Sequence, residues 1–191
     1  MAKSRFIIRP WMWVAAIAIV IALVLAGYYN NFVGLGQSVK SQWADVESSY
    51  QRRFDLIPNL VETVKGVADF EKETYLAVTE ARTKWLDAQS INDKVTAGAA
   101  TQSALARLLV MVENYPDLKA AANFADMQTQ LEGTENRINV ERNRYNEKVR
   151  AYNTAVARFP ANIFARLFGF SDYLFFEAVD EADKVPVVNF K

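Results

Sequence analysis

Four glutamates are the residues of this sequence that could act in acid–base catalysis or bind a cation. Glu62, Glu71, Glu73 and Glu80 fall along one stretch of predicted helix. Paired carboxylates act as general acid and base, or hold a divalent cation, when a concave site drives their pKa values apart. No Gly-rich loop or other pocket motif accompanies these glutamates, and acids on helices usually form a solvated face. We therefore predict that the protein is not an enzyme and uses no cofactor or metal.

Histidine and cysteine are both absent from the sequence. These residues supply most acid–base groups active near neutral pH, most reactive nucleophiles and most zinc ligands. Their absence excludes His-containing triads, cysteine nucleophiles, disulfides and zinc sites built from either residue. Lys plus Arg and Asp plus Glu balance at 22 each, so no overall field attracts nucleic acid, and we predict no nucleic-acid partner.

An uncharged apolar run occupies residues 11–29. At about 1.5 Å per residue it spans roughly 28 Å, close to the thickness of a bilayer hydrocarbon core. Trp11 and Trp13 stand at one end, and Tyr28 and Tyr29 at the other, as amphipathic rings do at the two headgroup regions. We predict a transmembrane anchor. The alternative is a cleaved signal peptide, whose template this run also fits.

Basic residues set the expected orientation of this anchor. Lys3, Arg5 and Arg9 precede it, and the next basic residue is Lys40. The positive-inside rule then places residues 1–10 in the cytoplasm. We predict a single-pass protein of the inner membrane whose remaining chain is extracytoplasmic.

Small residues form a possible packing face within the anchor. Ala18, Ala22 and Ala26 are four residues apart, a spacing that lets two membrane helices approach closely. This face predicts a homo-oligomer. The alternative is that these alanines simply face lipid.

Beyond the anchor, apolar residues recur at helical spacing in four stretches without strand-like alternation. We predict an all-α protein with an antiparallel up-down four-helix bundle over 30–159 and an aromatic C-terminal segment and tail over 160–191. The first helix is expected to end near Arg53. Asp55 would then cap the second, with Pro58 in its first turn. The alternative is a helix that continues through Pro58.

The predicted core residues lie on one face of each helix. Gly34 and Gly36 predict a soft joint between the anchor and the first helix, and Pro116 is expected to end the third. Residues of the last helix are seven apart, which predicts coiled-coil-like packing. In chain order, the predicted core residues are Phe32, Val39, Trp43, Val46, Tyr50; Leu60, Val64, Val67, Tyr75, Val78, Trp85; Val95, Leu105, Leu108 or Leu109, Val112, Tyr115; and Phe124, Met127, Leu131, Ile138, Tyr145, Val149, Tyr152, Val156, Phe159.

A polar cluster marks the predicted junction between the first two helices. Its members are Arg52, Arg53, Asp55 and Asn59, with Pro58 among them. An exposed tip of this kind is a candidate contact for a partner. A helix cap with a local ion pair explains the same residues.

Six of the twelve phenylalanines fall within residues 159–176. In an up-down bundle the last helix returns to the end where the anchor emerges, so this segment is expected at membrane level. We select Phe164, Phe168, Phe170 and Tyr173 as candidate membrane or subunit contacts. The alternative is that the segment folds back onto the bundle as a lid.

The sequence also resembles the LemA family of bacterial membrane proteins. The motifs that carry the resemblance are RRFDLIPNLVETVKG over 52–66, YPDLK over 115–119, the stretch from LEGTENRINVERNRYNEKVRAYNTAVARFP to RLFGF over 131–170, and KVPVVNF over 184–190. The resemblance implies a membrane-anchored four-helix domain that works beside other envelope proteins. Many members carry His where this chain has Phe70 before Glu71, so the resemblance implies no metal site there.

We therefore predict a non-enzymatic structural or interaction protein of the bacterial envelope, oligomeric or scaffolding a membrane complex. The alternative is an extracytoplasmic ligand-sensing module. Residues 1–10 are too short to carry a signalling domain, so a sensor of this design would signal through a partner protein.

Overall fold

The computed structural model describes residues 10–66 and 71–176, and within them every regular element is an α-helix. The all-α prediction is therefore confirmed. Four helices are long, and two are short. Their bounds are Pro10–Lys65 (α1), Lys72–Asp87 (α2), Ile91–Val112 (α3), Pro116–Lys119 (α4), Ala122–Ala157 (α5) and Ala161–Leu167 (α6).

Helix α1 is continuous from the apolar run into the rest of the protein. The predicted end near Arg53 and new start at Asp55 are wrong, because both residues lie inside α1. Gly34 and Gly36 are helical as well, so no soft joint interrupts the helix. The alternative of a helix that runs through Pro58 is the correct one.

A buried apolar stripe explains why Pro58 does not end α1. Proline in a helix interior costs roughly 3 kcal/mol, while each fully buried large apolar side chain contributes roughly 1.5–3 kcal/mol. Pro58 itself is exposed, so its ring lies away from the core. The buried residues of α1 on either side of the proline are Phe54, Ile57, Leu60, Val61 and Val64.

A serine cap and a proline set where the helices after α2 and α3 begin. The Ser90 side chain caps α3 by accepting a hydrogen bond from the Asp93 backbone N–H at 3.0 Å. Helix α3 ends at Val112. Tyr115, with φ −122° and ψ 79°, is non-helical, as expected for a residue before proline. Pro116 begins the short α4.

The seven-residue series of α5 is buried from Phe124 to Tyr152, as predicted. Phe159 is the exception: α5 ends at Ala157, and Phe159 is 77% exposed. Its position before Pro160 disfavours continuation of the helix, so the prediction of Phe159 as a core residue is wrong.

Helix α1 packs along α5, and α2 packs on α3. Along α1, the position of Gly36 faces Tyr152, Trp43 meets Tyr145 with ring centroids 5.5 Å apart, and Arg53 meets Glu135. Residues later in α1 therefore contact residues earlier in α5. Of the other predicted core residues, Tyr75, Leu109 and Tyr115 are half-buried, Val67 lies outside the described residues, and the rest are buried.

Candidate functional site

The first part of α1 has an apolar surface that the rest of the chain does not cover. By length and composition, two described helices are apolar enough to cross a membrane: α1 near its N-terminus and α3. The apolar window of α1 is fully uncovered, whereas α3 contributes buried residues to the core. An uncovered helix of this composition is typical of a membrane anchor, and a partly buried one of a core helix.

The predicted anchor residues lie on this surface. Trp11, Trp13 and Tyr29 are exposed, and Tyr28 is half-buried. The three alanines of the predicted packing face, Ala18, Ala22 and Ala26, are all exposed, so no part of the described chain occupies that face.

Aromatic rings join the end of the anchor to the C-terminal segment. The ring of Tyr28 stacks on that of Phe164 with centroids 5.3 Å apart, and Tyr29 meets Phe168 edge-on at 5.4 Å. Phe170 meets the ring of Phe32 at 5.2 Å. Such pairs each contribute roughly 0.5–1.5 kcal/mol beyond burial. Three of the four aromatic contact candidates therefore pack within the chain.

Beyond α6, residues 170–176 form an extended strap along α5. Asn153 donates through Nδ2 to the Tyr173 carbonyl at 2.9 Å and accepts from the Tyr173 N–H at 3.1 Å. Asn146 holds both backbone groups of Phe176 in the same way, at 2.8 and 2.9 Å. This segment therefore folds back onto the helices, as the lid alternative expected, and Tyr173 belongs to that contact.

Replacing Asn153 with alanine is expected to lower the free energy of unfolding by about 1–3 kcal/mol, because two backbone groups of Tyr173 lose their partners. Amide hydrogen exchange should show the loss first in the strap. Asn143, exposed on the same helix, supplies the matched control, Asn143→Ala, which should change stability little. Equal effects of the two substitutions would mean that the strap is not held by its amide contacts.

The predicted partner cluster separates into one buried and three exposed side chains. Arg53 is buried and forms an ion pair with Glu135 of α5, and its Nε lies 3.4 Å from Thr134 Oγ1. Arg52, Asp55 and Asn59 are exposed. The interpretation as a helix-start cap is wrong because α1 does not begin here. Arg53 has a structural role instead of forming an exposed tip.

A second buried arginine extends this polar cluster into α3. Arg142 Nη1 donates to Gln102 Oε1 at 2.7 Å, and Nη2 donates to the Tyr50 hydroxyl. Gln102 in turn donates to Glu135 Oε1 at 3.1 Å, which links the two arginines. We call these residues, with Arg53, the polar core. The polar core was not predicted from the sequence, although Glu135 and Arg142 stand in the same seven-residue series as buried Val149.

Four tyrosines have raised pKa values because burial penalises the phenolate. They are Tyr50, Tyr145, Tyr152 and Tyr173; in Tyr50 the neighbouring Arg142 only partly offsets the effect. Their contribution to stability is complete below the ordinary tyrosine pKa of about 10 and falls as pH rises above it, because the unfolded state releases the protons first.

An alkaline titration should reveal this difference. Absorbance at 295 nm is expected to show a late-ionising group of tyrosines, and the free energy of unfolding should fall with pH above about 10. Tyr145→Phe should remove one late-ionising group and make that fall less steep. If all tyrosines ionised together while the far-ultraviolet dichroism remained native, the buried positions would be contradicted.

Of the four glutamates considered as catalytic or metal-binding groups, Glu71, Glu73 and Glu80 line an open groove of about 530 Å³ between α2 and α3. Lys84 and Arg107 line the same groove. Glu62 is exposed and pairs with Lys65 at 3.1 Å. Among the described residues, no group of three or more carboxylates is placed to hold a metal ion. Phe70, the departure beside Glu71, lies outside the described residues.

Comparison with known proteins identifies relatives of this chain. A family model described as the LemA family matches residues 42–190. Magnetosome protein MamQ 1 of Paramagnetospirillum magneticum is 26% identical over 186 residues, which cover 84% of this chain and 68% of that protein. MamQ of Magnetospirillum gryphiswaldense is 24% identical over the same shares. Protein LemA of Metamycoplasma hominis is 23% identical over 166 residues, 86% of this chain and 75% of that protein.

The uncovered apolar helix and the helical body define a membrane-associated all-α protein. The match over most of its length identifies the family, as the motifs had indicated: the chain belongs to the LemA family.

Proposed function

We propose that the protein is a non-enzymatic scaffold of the bacterial envelope, in which α1 holds a rigid helical body against the membrane. The observation that carries this proposal is the continuity of α1, a helix of 56 residues from Pro10 to Lys65. At about 1.5 Å per residue, the part beyond Tyr29 extends roughly 54 Å from the anchor. With α5 packed along it, the body has a fixed height and direction, as a scaffold requires.

In the proposed topology, residues 11–29 span the inner membrane and the body is extracytoplasmic. The basic residues that support this orientation, Lys3, Arg5 and Arg9, lie outside the described residues. The opposite order of contacts on α1 and α5 supports an antiparallel up-down bundle of α1, α2, α3 and α5. It also supports a C-terminal segment at the anchor end, and we propose the domain division at residues 10, 29 and 159 with it.

Because the chain contains no cysteine, a single introduced cysteine is its one reactive thiol and reports topology once the labelled protein is purified. An impermeant maleimide added to spheroplasts should label Glu113→Cys and leave Ser4→Cys unlabelled. After permeabilisation both should react. Labelling of Ser4→Cys alone in intact spheroplasts would reverse the proposed topology.

We further propose that the scaffold self-associates through the exposed face of Ala18, Ala22 and Ala26, since small side chains allow close helix approach. Replacing all three with isoleucine should reduce the oligomer mass measured in detergent and in nanodiscs. The control changes Ala16, Val20 and Val24 to isoleucine, because these residues are also exposed but lie on a different face. A monomeric native protein would refute self-association, and equal losses would refute the assignment of this face.

Partners other than a second copy are proposed from the family alone. Relatives carry the name magnetosome protein, which fits a membrane context for this chain. Exposed Arg52, Asp55 and Asn59 on the outer part of α1 are the proposed contact for another envelope protein. Co-purification from the native membrane of the unaltered chain, compared with a triple alanine variant of these residues, tests that contact.

One observation favours a ligand-sensing module as the second candidate. A cleft of about 430 Å³ lies between α1, the start of α3 and residues 169–173 of the C-terminal segment. Gln37, Lys40, Asn92 and Asp172 supply its polar lining. A ligand there would contact α1, which continues into the anchor, so its effect would pass inward to a partner. A seven-residue Gly-Ser insertion after Asn30 should abolish such signalling, whereas a helical seven-residue insertion should preserve it.

A further inference from the structure

Helix α6 is held at the level where the anchor emerges. Its Phe164 contacts Tyr28, and Phe168 at its end contacts Tyr29, the two tyrosines that close the apolar run. The approach of Tyr152 to Gly36 gives the same level independently. From Tyr152, α5 continues roughly 7.5 Å further toward the anchor before it ends at Ala157.

The two faces of α6 are both apolar. Its inner face is buried through Ala161 and Ala165. On the outer face, Ile163 is 55% exposed and Leu167 is 73% exposed, and neighbouring Phe159 is 77% exposed. Large apolar side chains grouped on one surface are normally covered, and the described chain supplies no cover for this outer face.

We propose that α6 is an interfacial helix, with Phe159, Ile163 and Leu167 inserted among the phospholipid headgroups beside the anchor. The surface is continuous with the uncovered apolar surface of α1, through the contacts with Tyr28 and Tyr29. This inference rests on residues 11–29 being the proposed membrane span. Helix α6 is then a second membrane attachment, which fixes the orientation of the helical body relative to the bilayer.

Charge favours lipid over a second copy of the chain as the occupant. Arg158 and Arg166 are exposed beside the apolar side chains, where guanidinium groups can donate to lipid phosphates. Amphipathic helices that lie in the interface combine apolar insertion with such basic residues. Three apolar side chains also cover far less than the roughly 800 Å² per partner that a stable protein interface buries.

The test uses the full chain in phospholipid nanodiscs, with single cysteines carrying an environment-sensitive fluorophore. Ile163→Cys and Leu167→Cys should be quenched by lipids that bear a nitroxide near the headgroup, at least about twofold more than Ser48→Cys. Ser48 is the matched control, because it is exposed on α1 about 28 Å beyond Tyr29. Leu23→Cys, within the anchor, should be quenched by a nitroxide deep in the acyl chain. Unchanged helicity of each variant verifies folding.

The outcomes separate this proposal from the one it rests on. Deep quenching of Leu23→Cys with no quenching at positions 163 and 167 overturns the interfacial helix and leaves the anchor intact. Disulfide dimers of Leu167→Cys together with absent quenching overturn it in favour of a second copy of the chain. Absence of quenching at Leu23→Cys overturns the proposed span and this inference with it.

Discussion

Replacing Glu135 with alanine is expected to lower the free energy of unfolding by about 3 kcal/mol, the lower end of the range for breaking a buried ion pair, because Arg53 is buried whereas the Glu135 side chain is 30% exposed. The side chain of Arg53 is only 3% exposed, and Glu135 is its ion-pair partner. Gln102 also loses the acceptor of its hydrogen bond. Guanidinium denaturation in a mild detergent, followed by the fluorescence of buried Trp43 and Trp85, measures the change.

Glu62→Ala is the control for this substitution. It removes an ion pair with Lys65 that is exposed and three residues apart, so the expected loss is below about 0.5 kcal/mol. A double variant, Arg53→Met with Glu135→Leu, should recover much of the stability because it leaves no unpaired charge. A small effect of Glu135→Ala, similar to that of Glu62→Ala, would contradict the burial of Arg53.

Replacing Gly98 with leucine should cost about 3 kcal/mol, at the upper end of core overpacking. A Cβ atom at Gly98 would lie 2.5 Å from the Tyr50 hydroxyl oxygen and 3.0 Å from Cζ. The Tyr50 ring has little freedom to move, because it stacks on Trp85 at 5.4 Å and receives the hydrogen bond from Arg142. Gly98→Ala should be destabilising too, by less, because alanine's helix propensity offsets part of the clash.

Gly133→Ala is the matched control, since Gly133 is exposed on a helix and a Cβ there meets nothing within 4 Å. It should stabilise the protein by up to about 1 kcal/mol. A double-mutant cycle of Gly98→Ala with Tyr50→Phe should show coupling between the two sites, because the phenylalanine lacks the oxygen nearest to the new methyl group. Stabilisation by both Gly98→Ala and Gly133→Ala would refute the close approach.

The spacing of apolar residues was enough to predict helices, but it did not predict where they begin and end. The seven-residue series of α5 predicted its buried face because each such position returns to the same side of a helix. The series was extended to Phe159, although a residue before proline is disfavoured from helical geometry, and α5 ends at Ala157. At Pro58 the proline rules predicted a start, whereas burial of residues on both sides of it keeps α1 continuous.

The parts of the candidate site that depend only on residue composition could be predicted from the sequence. The apolar run, its terminal aromatic rings and the concentration of phenylalanine in 159–176 all appear in the sequence. Which rings would be covered does not follow from composition. Phe164, Phe168 and Phe170 pack on the base of α1, while Ile163 and Leu167, which were not selected, form the exposed face.

The sequence by itself determined the helical class, the apolar segment, the exclusion of His and Cys chemistry, and the family motifs, because each depends on residue type and spacing within a short stretch. The tertiary structure alone decided which polar residues are buried. Arg53, Gln102 and Arg142 resemble surface residues when each helix is considered separately. Arg53 and Arg142 are buried and Gln102 is half-buried because α1, α3 and α5 bring their partners together over separations of 33 to 92 residues. The pattern within one helix indicates which face is buried but not which residue of another helix meets it.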